Sequence, residues 1–261
     1  MKVLVIITLL ASVVISQGPV LTFKCQNIPE VCNNMCWGVH CTGGRFSATL
    51  TADNGASASV KAARRRAAGC LPNPNQCSNS APGPNRGQNL NCDEYPFAST
   101  READQGGQNI RCVPITENSQ QGGAINGFYR STGIAAGTAF NIAFERPDAA
   151  KVVYCINPQG GNVCKNDGNI FNKQVLAPDP NAFTPRGKRF EASTPMYLYA
   201  TERGEKVSSA ALLEVGRELY SFAPRNDTLG KISFAARSAE MGGDDDINLE
   251  LVVDRVLKQL M

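Results

Sequence analysis

The stretch CDEYPFAS, residues 92–99, places two acidic residues, Asp93 and Glu94, side by side between a cysteine and a proline. Downstream, QNIRCVPI (108–115) has the composition of a β-strand and ENSQQGG (117–123) that of a turn. Two paired strands followed by this turn would bring the acidic pair close to the polar residues of ENSQQGG. Because neighbouring residues on a strand point to opposite faces, we do not expect Asp93 and Glu94 to reach the same ligand.

Other segments predict short antiparallel strands with few helices. RFSATLTAD (45–53), TAFNIAFE (138–145) and KVVYCIN (151–157) alternate or are rich in β-branched residues, which indicates strands. KAARRRAAGC (61–70) favours a helix, and AINGFYRSTG (124–133) is predicted as a short helix or an irregular segment. The sequence therefore predicts an α+β fold, built on a small disulfide-rich antiparallel sheet with short helices.

The cysteines all lie after residue 17, and an even number in an exported chain indicates disulfides, here five. They are Cys25, Cys32, Cys36, Cys41, Cys70, Cys77, Cys92, Cys112, Cys155 and Cys164. Cys155 and Cys164 flank a Gly-Gly turn, so we expect them to close a hairpin, while the other pairings stay open. The cysteines around His40 also have zinc-like spacing, but no second close pair follows, which disfavours zinc.

The first 17 residues, MKVLVIITLLASVVISQ, combine one lysine, an apolar run and a small or polar end. This is the layout of a secretory signal peptide, and the run is shorter than the roughly 20 residues that span a bilayer. We therefore expect a protein secreted to the extracellular space, without membrane attachment once residues 1–17 are removed.

The chain changes composition where the cysteines end and a proline-rich linker begins. PMYLYAT (195–201) predicts a strand, whereas residues 208–222 and 247–260 carry apolar residues three and four apart, which predicts two amphipathic helices. We therefore expect a domain over residues 18–176 and a cysteine-free α/β extension over residues 177–261, whose role the sequence leaves open.

Oxygen donors are concentrated in the two stretches that the strands would bring together. They are Asp93, Glu94, Glu117, Asn118 and Gln121. Hard cations such as Mg²⁺ prefer carboxylate and amide oxygens, so these residues are candidates for a metal site. The single histidine lies among the cysteines, which leaves a carboxylate as the available general base. The alternative is that these polar residues serve only in turns.

Basic residues outnumber acidic ones before residue 177, and the balance reverses after it. Arg101, Arg111 and Arg130 come from the same part of the chain and are candidates to bind phosphate groups, with surface solvation as the alternative. The basic run of KAARRRAAGC has the same two interpretations. A polyanionic partner should therefore meet the first region.

The segments CDEYPFAST, RCVPITENSQQGG and GFYR resemble the NucA/NucB family of secreted deoxyribonucleases, in a form similar to its fungal members. The resemblance implies a ββα-metal-like core, in which a hairpin and a helix hold one divalent metal, Mg²⁺ or Mn²⁺. It implies Glu94 as the general base in place of histidine, Asp93 as its support, and Asn118 and Glu117 at the metal. Gln121 and the three arginines would then contact the phosphate backbone of DNA, with RNA as a second substrate.

Two departures from the family pattern bear on activity. Cys92 stands where the parent motif has an arginine, and Asn126 stands where a second acid is expected. The first removes a phosphate contact, and the second weakens the metal shell. The competing hypothesis is a cysteine-rich binding or toxin-like protein that keeps the nuclease scaffold without catalysis. A protease or glycosidase that uses Asp93 and Glu94 as its carboxyl pair is disfavoured, because neighbours on a strand point to opposite faces, whereas glycosidase acids must converge on one bond.

Overall fold

The computed structural model describes residues 18–72, 74–78, 87, 89–148, 151–156, 164–173, 183–185, 194–224 and 249–260. The predicted signal peptide and most of the proline-rich linker lie outside these ranges. No helix within the described ranges has both the length and the apolar character needed to cross a bilayer.

The described residues form a mixed α+β fold, as the sequence predicts. Contrary to the prediction of antiparallel strands, the larger sheet is not purely antiparallel, because the strand Val20–Lys24 pairs in parallel with Ala139–Glu145 and with Glu218–Pro224. The helices are α1 (Pro29–His40), α2 (Ala58–Ala68), α3 (Ile115–Thr132) and a 3₁₀ helix (Arg101–Gln105). The strands are β1 (Val20–Lys24), β2 (Thr49–Thr51), β3 (Leu90–Tyr95), β4 (Asn109–Pro114), β5 (Ala139–Glu145), β6 (Ile170–Lys173), β7 (Phe183–Pro185), β8 (Tyr197–Thr201), β9 (Lys206–Ser209), β10 (Glu218–Pro224) and β11 (Leu249–Gln259).

The local sequence explains where α1 and α2 begin and end. Pro29 opens α1 with its φ already fixed, and Glu30 places a negative charge in the first turn, where the helix dipole favours it. The Ser57 side chain accepts a hydrogen bond from the backbone N–H of Val60 and caps α2. Gly69 ends α2 in the left-handed conformation, at φ 95°.

Six strands close into a barrel. Their order is β1, β10, β11, β8, β9 and β5, and β1 pairs with both β10 and β5, while β2 extends the sheet from β5. Each of the six strands supplies a side chain to one buried cluster: Val20, Ala143, Tyr199, Val207, Leu219 and Val256. This cluster therefore fills the barrel interior. Leu21 and Phe23 alternate with Val20 and join the larger core that includes residues of α1 and α3.

Four of the barrel strands, β8 to β11, come from the chain after residue 194 and complete a ring with β1 and β5. The two predicted regions, 18–176 and 177–261, thus share one hydrogen-bonded sheet. Their division at residue 177 stays a prediction about independent folding.

A second sheet carries the acidic pair. Its order is β3, β4, β6 and β7, and Asp93 of β3 lies opposite Arg111 of β4 in the antiparallel register. α3 follows β4 directly, so a hairpin and a helix succeed one another along the chain. This order is the one that a ββα core requires, and its metal-binding role stays a prediction. α1 and α3 cover the face of Asp93, whereas Ala68 of α2 packs with Ile110 on the opposite face.

The prediction of a turn at residues 117–123 is wrong, because these residues lie within α3. The glycines that suggested a turn are compatible with the helix. A side chain on Gly122 would meet open space, and a Cβ at Gly127 would lie 2.7 Å from the ring of Phe222. Gly127 therefore allows α3 to approach β10 closely, a packing requirement that local composition does not reveal.

The prediction of a strand at residues 151–157 is also wrong for the part that the structure describes. The side chain of Asn33 takes the place of a neighbouring strand there. Its Nδ2 donates to the Lys151 carbonyl at 2.7 Å, and its Oδ1 accepts from the Val153 N–H at 2.9 Å. Two backbone groups of this segment are thus hydrogen-bonded without a sheet.

The two amphipathic helices predicted in the C-terminal region are strands. Residues 208–222 contribute to β9 and β10, and β11 covers most of residues 247–260. β10 and β11 pair residue by residue from Glu218 opposite Arg255 to Pro224 opposite Leu249. Apolar spacings of three and four fitted a helix by chance, whereas the valines of β11 favour a pleated strand. The strand predicted at residues 195–201 is confirmed as β8.

All ten cysteines form disulfides, which confirms the predicted five. The pairs are Cys25–Cys32, Cys36–Cys155, Cys41–Cys164, Cys70–Cys92 and Cys77–Cys112. The predicted Cys155–Cys164 bridge is wrong, because both cysteines instead bond to cysteines of α1 or its C-cap. The zinc alternative fails for the same reason: the sulfurs nearest His40 are those of Cys41 and Cys164, which are bonded to each other.

Candidate active site

Asp93 lies at the centre of a buried polar cluster. Its side chain is 1% exposed, and Asn34 of α1 donates from Nδ2 to the Asp93 Oδ2 at 2.9 Å and to its backbone carbonyl at 3.0 Å. Burial raises the pKa of Asp93 well above its usual range, and the charges of Glu94 and Glu117 raise it further. Asn34 and Gln121 lower this pKa, because both place amide groups near the carboxylate. A strongly perturbed carboxyl group of this kind is a candidate functional group.

Glu117 reaches the same cluster from the first turn of α3. Its Oε2 accepts hydrogen bonds from the backbone N–H groups of Glu30 at 2.8 Å and Val31 at 3.3 Å, in the first turn of α1. A carboxylate is favourable at this helix end. Burial nevertheless raises the pKa of Glu117, against the opposing effect of the two N–H groups. One carboxylate oxygen is thus anchored, and within the described part of the chain Oε1 has no hydrogen-bond donor.

Glu94 faces away from this cluster. It is the next residue of β3 after Asp93, and its Oε1 lies 3.5 Å from the Arg65 Nε on α2. Burial raises the pKa of Glu94, and the charge of Arg65 opposes the shift. The fold therefore brings Asp93, Glu117 and Gln121 together and leaves Glu94 on the other face of the sheet. α3, which carries the half-buried Asn118, packs on the Asp93 face.

The cluster contains buried polar atoms without partners. Asn34 Oδ1 and Gln121 Nε2 are shielded from solvent and make no hydrogen bond of ordinary geometry with the described residues. Unpaired buried polar atoms in a native fold often mark a site for water or an ion. The carboxylates of Asp93 and Glu117 and the Asn34 Oδ1 are hard oxygen donors, of the kind that a cation such as Mg²⁺ prefers.

The acids alone do not make a complete metal shell. Among the described residues, the one group of three His, Cys, Asp or Glu ligand atoms lying close together is the His40 group already excluded by its disulfide. A cation at Asp93 would therefore need amide oxygens and waters, as Mg²⁺ commonly does. Asn126, where the family pattern expects a second acid, is exposed on α3.

Arg111 is buried in two ion pairs, and its predicted contact with phosphate stays a prediction. Its side chain is 4% exposed and forms ion pairs with Glu30 and Asp167. Its NH2 lies 2.5 Å from the Glu30 Oε2 and 2.7 Å from the Asp167 Oδ2. A phosphate could reach this guanidinium only by displacing both carboxylates.

Arg101 and Arg130 are exposed, in the 3₁₀ helix and in the last turn of α3. Arg130 lies 13 residues after Glu117 on one helix, a distance of about 20 Å at 1.5 Å per residue. It therefore cannot contact a phosphate bound at Glu117. A contact with a more distant phosphate of a long substrate stays a prediction.

Two other sequence candidates have structural roles. His40 is buried, with Nδ1 hydrogen-bonded to the Thr194 carbonyl, and burial lowers its pKa. Arg64 of the basic run is buried against the carboxylates of Asp53 and Asp104, at 2.7 Å from each. Arg66 is exposed on α2. The basic run thus belongs to the helix on the opposite face of the sheet from Asp93.

Two residues that no sequence motif indicated, Asn34 and Glu30, contact Asp93 and Glu117 from α1. No local signal marks them, because they precede their partners by 59 and 87 residues. The density of cysteines around α1 was the one indication that this helix is held against other parts of the chain.

The model of one protein family, deoxyribonuclease NucA/NucB, matches residues 35–143. The matched segment contains β3, β4 and α3 with Asp93, Glu117 and Gln121. No curated protein matches the chain. Residues 35–143 therefore match the deoxyribonuclease NucA/NucB family, as the CDEYPFAST and RCVPITENSQQGG motifs predicted.

Proposed function

We propose that this protein is a secreted, metal-dependent endonuclease that hydrolyses phosphodiester bonds of DNA with little sequence preference, and RNA as a second substrate. The observation that carries the proposal is the buried cluster of Asp93, Glu117, Gln121 and Asn34 within or beside the family-matched motifs. Five disulfides support export, because disulfides form and persist in oxidising compartments.

Of the two neighbouring acids, the geometry favours Asp93 over Glu94 as the catalytic carboxylate. Asp93 shares a face with Glu117 and Gln121, whereas Glu94 is paired with Arg65 on the α2 side. Glu94 as the general base stays a prediction of the family resemblance, and the two assignments give different mutant phenotypes.

A bound divalent cation would supply charge stabilisation for the phosphate oxygens and the leaving oxygen. Asp93, Glu117 and the Asn34 Oδ1 would hold it, with Asn118 as the further predicted ligand. The raised pKa of Asp93 favours its neutral form, and a nearby cation would restore the ionised form that can accept a proton from water. Gln121 Nε2, a buried donor, is available to a phosphate oxygen or to the attacking water.

Plasmid nicking tests the proposal. Purified full-length protein is incubated with supercoiled DNA and Mg²⁺ or Mn²⁺, with and without EDTA, beside Asp93→Asn, Glu117→Gln and Glu94→Gln. We expect chelation to abolish cleavage, and Asp93→Asn to lower kcat by about 10²–10⁴-fold, the usual contribution of a general base. Glu94→Gln should lower it by less than about tenfold, because an exposed partner such as Arg65 makes a weak ion pair.

A larger loss of kcat in Glu94→Gln than in Asp93→Asn would instead support Glu94 as the general base.

A second candidate function, a binding protein on a nuclease scaffold without catalysis, is favoured by the burial of Asp93 and by Asn126 in place of an acid. Folded protein that cleaves neither DNA nor RNA with either metal would support that candidate.

A further inference from the structure

Arg111 is the centre of an ion-pair network next to the candidate site. It lies on β4 directly opposite Asp93. Its guanidinium donates to Glu30 from Nε at 2.7 Å, and to Asp167 from NH1 at 3.1 Å and NH2 at 2.7 Å. Such forked contacts fix the orientation of a guanidinium and of the carboxylates that it binds.

Glu30 connects this network to Glu117. Its side chain is held by Arg111, and its backbone N–H donates to the Glu117 Oε2 at 2.8 Å. The orientation of the first turn of α1 thus depends on Arg111, and the orientation of the Glu117 carboxylate depends on that turn. Hydrogen-bond partners of metal ligands commonly control metal affinity in this way.

The segment that carries Asp167 is itself fixed. The backbone N–H of Asp167 donates to the Tyr154 hydroxyl at 2.9 Å, and the ring of Tyr154 packs edge-on against Trp37 of α1. The Cys41–Cys164 and Cys36–Cys155 disulfides tie the neighbouring chain to α1. Asp167 is therefore a rigid partner for Arg111.

We infer that Arg111 is a positioning residue, which, clamped between Glu30 and Asp167, holds the Glu117 carboxylate in place for a divalent cation. This role differs from the phosphate contact predicted from the sequence. The inference rests on the proposed metal-dependent function.

Asp167→Asn tests the inference, because it weakens the clamp at a side chain that is 38% exposed and leaves Arg111 paired with Glu30. Removing Arg111 itself would truncate a side chain that is 4% exposed and leave a cavity beside β4, which endangers folding. Glu205→Gln is the matched control, since Glu205 pairs with Arg146 on the barrel through two contacts of 2.7 Å. Asp167→Glu keeps a carboxylate at this position and tests whether the charge alone restores the contact with Arg111.

Two readouts apply to the full-length protein: Mn²⁺ affinity by calorimetry, and hydrogen exchange of the Glu30 and Val31 amides without metal. Asp167→Asn should weaken Mn²⁺ binding by about 10–100-fold, the usual effect of losing an outer-shell partner. It should also speed the exchange of both amides and lower kcat with little change in the KM for DNA. Asp167→Glu should recover part of each effect, and Glu205→Gln should show none.

The inference is overturned if Asp167→Asn matches Glu205→Gln in Mn²⁺ affinity and amide exchange, or if it raises only the KM for DNA, as loss of a phosphate contact would. Wild-type protein that neither binds Mn²⁺ nor cleaves DNA contradicts the proposed function instead.

Discussion

The barrel and the site lobe, meaning the second sheet with α1, α2 and α3, are stabilised in different ways. The six barrel strands contain no cysteine and close through hydrogen bonds around an apolar interior. In the site lobe, every disulfide has an end in or next to α1, β3 or β4. Most of the buried polar side-chain atoms that lack a partner among the described residues also lie there, on Asn34, Gln108, Asn109, Gln121 and Asn169.

This difference indicates that the site lobe depends on disulfides for its stability, whereas the barrel does not. Unpaired buried polar groups and carboxylates with raised pKa values cost stability, and functional sites commonly carry such costs. Covalent bridges offset them by restricting the unfolded chain. The barrel has few such groups and depends on apolar burial and sheet pairing.

The largest expected effect is that of removing the chain after residue 176. The truncation deletes β8 to β11, so β1 and β5 lose partners and Val20 and Ala143 lose their interior neighbours. We expect no cooperative unfolding transition by circular dichroism and an expanded or aggregated species by size exclusion. A compact, cooperatively folding fragment would instead support the predicted domain over residues 18–176.

Replacing Cys36 and Cys155 together by serine should lower the free energy of unfolding by about 2–5 kcal/mol, the usual loss for a native disulfide. The bridge joins residues 119 apart in sequence, but Cys41–Cys164 still joins nearly the same parts of the unfolded chain, so we expect a loss towards the lower end of this range. Denaturant unfolding provides the measurement. Leu219→Ala, in the barrel, should lower the free energy of unfolding by the same amount with and without reductant. A decrease that depends on reductant would contradict the conclusion that the barrel is stabilised independently of the disulfides.

Asp93→Asn should raise the unfolding midpoint at pH 7 in EDTA by about 2–4 °C, which corresponds to roughly 1 kcal/mol for a chain of this size. Burial raises the pKa of Asp93, so the ionised form is disfavoured in the folded state. The contribution of Asp93 to wild-type stability is therefore fully present below the unfolded pKa, near 4, and is lost as pH rises through the raised folded pKa.

The gain from Asp93→Asn should accordingly disappear below about pH 4, where the wild-type carboxyl is neutral in both states. Thermal scans of both proteins from pH 3 to pH 8 provide the measurement. A variant less stable than wild type at pH 7 would show that the Asn34 hydrogen bond outweighs the burial of charge.

Glu94→Gln should have the smallest effect, a change of less than about 1 kcal/mol in the free energy of unfolding. Its partner Arg65 is 45% exposed and lies at 3.5 Å, so solvent screens the pair. Arg65→Gln is the matched control, and urea unfolding of both variants should give similar midpoints. A loss above about 2 kcal/mol would mean that the contacts of Glu94 on the α2 face contribute substantially to the free energy of unfolding.

Much of the fold near the motifs could be predicted from the sequence. β4, β5 and α2 lie where composition and alternation placed them, and the number of disulfides was correct. The errors at α3, β10 and β11 share one cause. Glycines and apolar spacings are compatible with more than one local structure, and packing against a distant element, such as Phe222 against Gly127, selects between them.

The candidate site was predicted in part. The short-range motifs indicated Asp93, Glu117 and Gln121 as candidates, and the family whose model matches their segment. They could not show that Arg111 is occupied by Glu30 and Asp167, which lie 81 and 56 residues away in sequence. Ion pairs of this range depend on the final packing, which no local pattern encodes.

The sequence by itself determined the family motifs, the even set of disulfide-forming cysteines and the alternation that sends Asp93 and Glu94 to opposite faces. Only the tertiary structure decided which of the two acids meets α1 and α3, which cysteines bond, and how the C-terminal strands close the barrel. The physical reason is that side-chain alternation is a local property of a strand. Which face becomes buried depends on register and on elements far along the chain, and a shift of one residue would exchange the two acids.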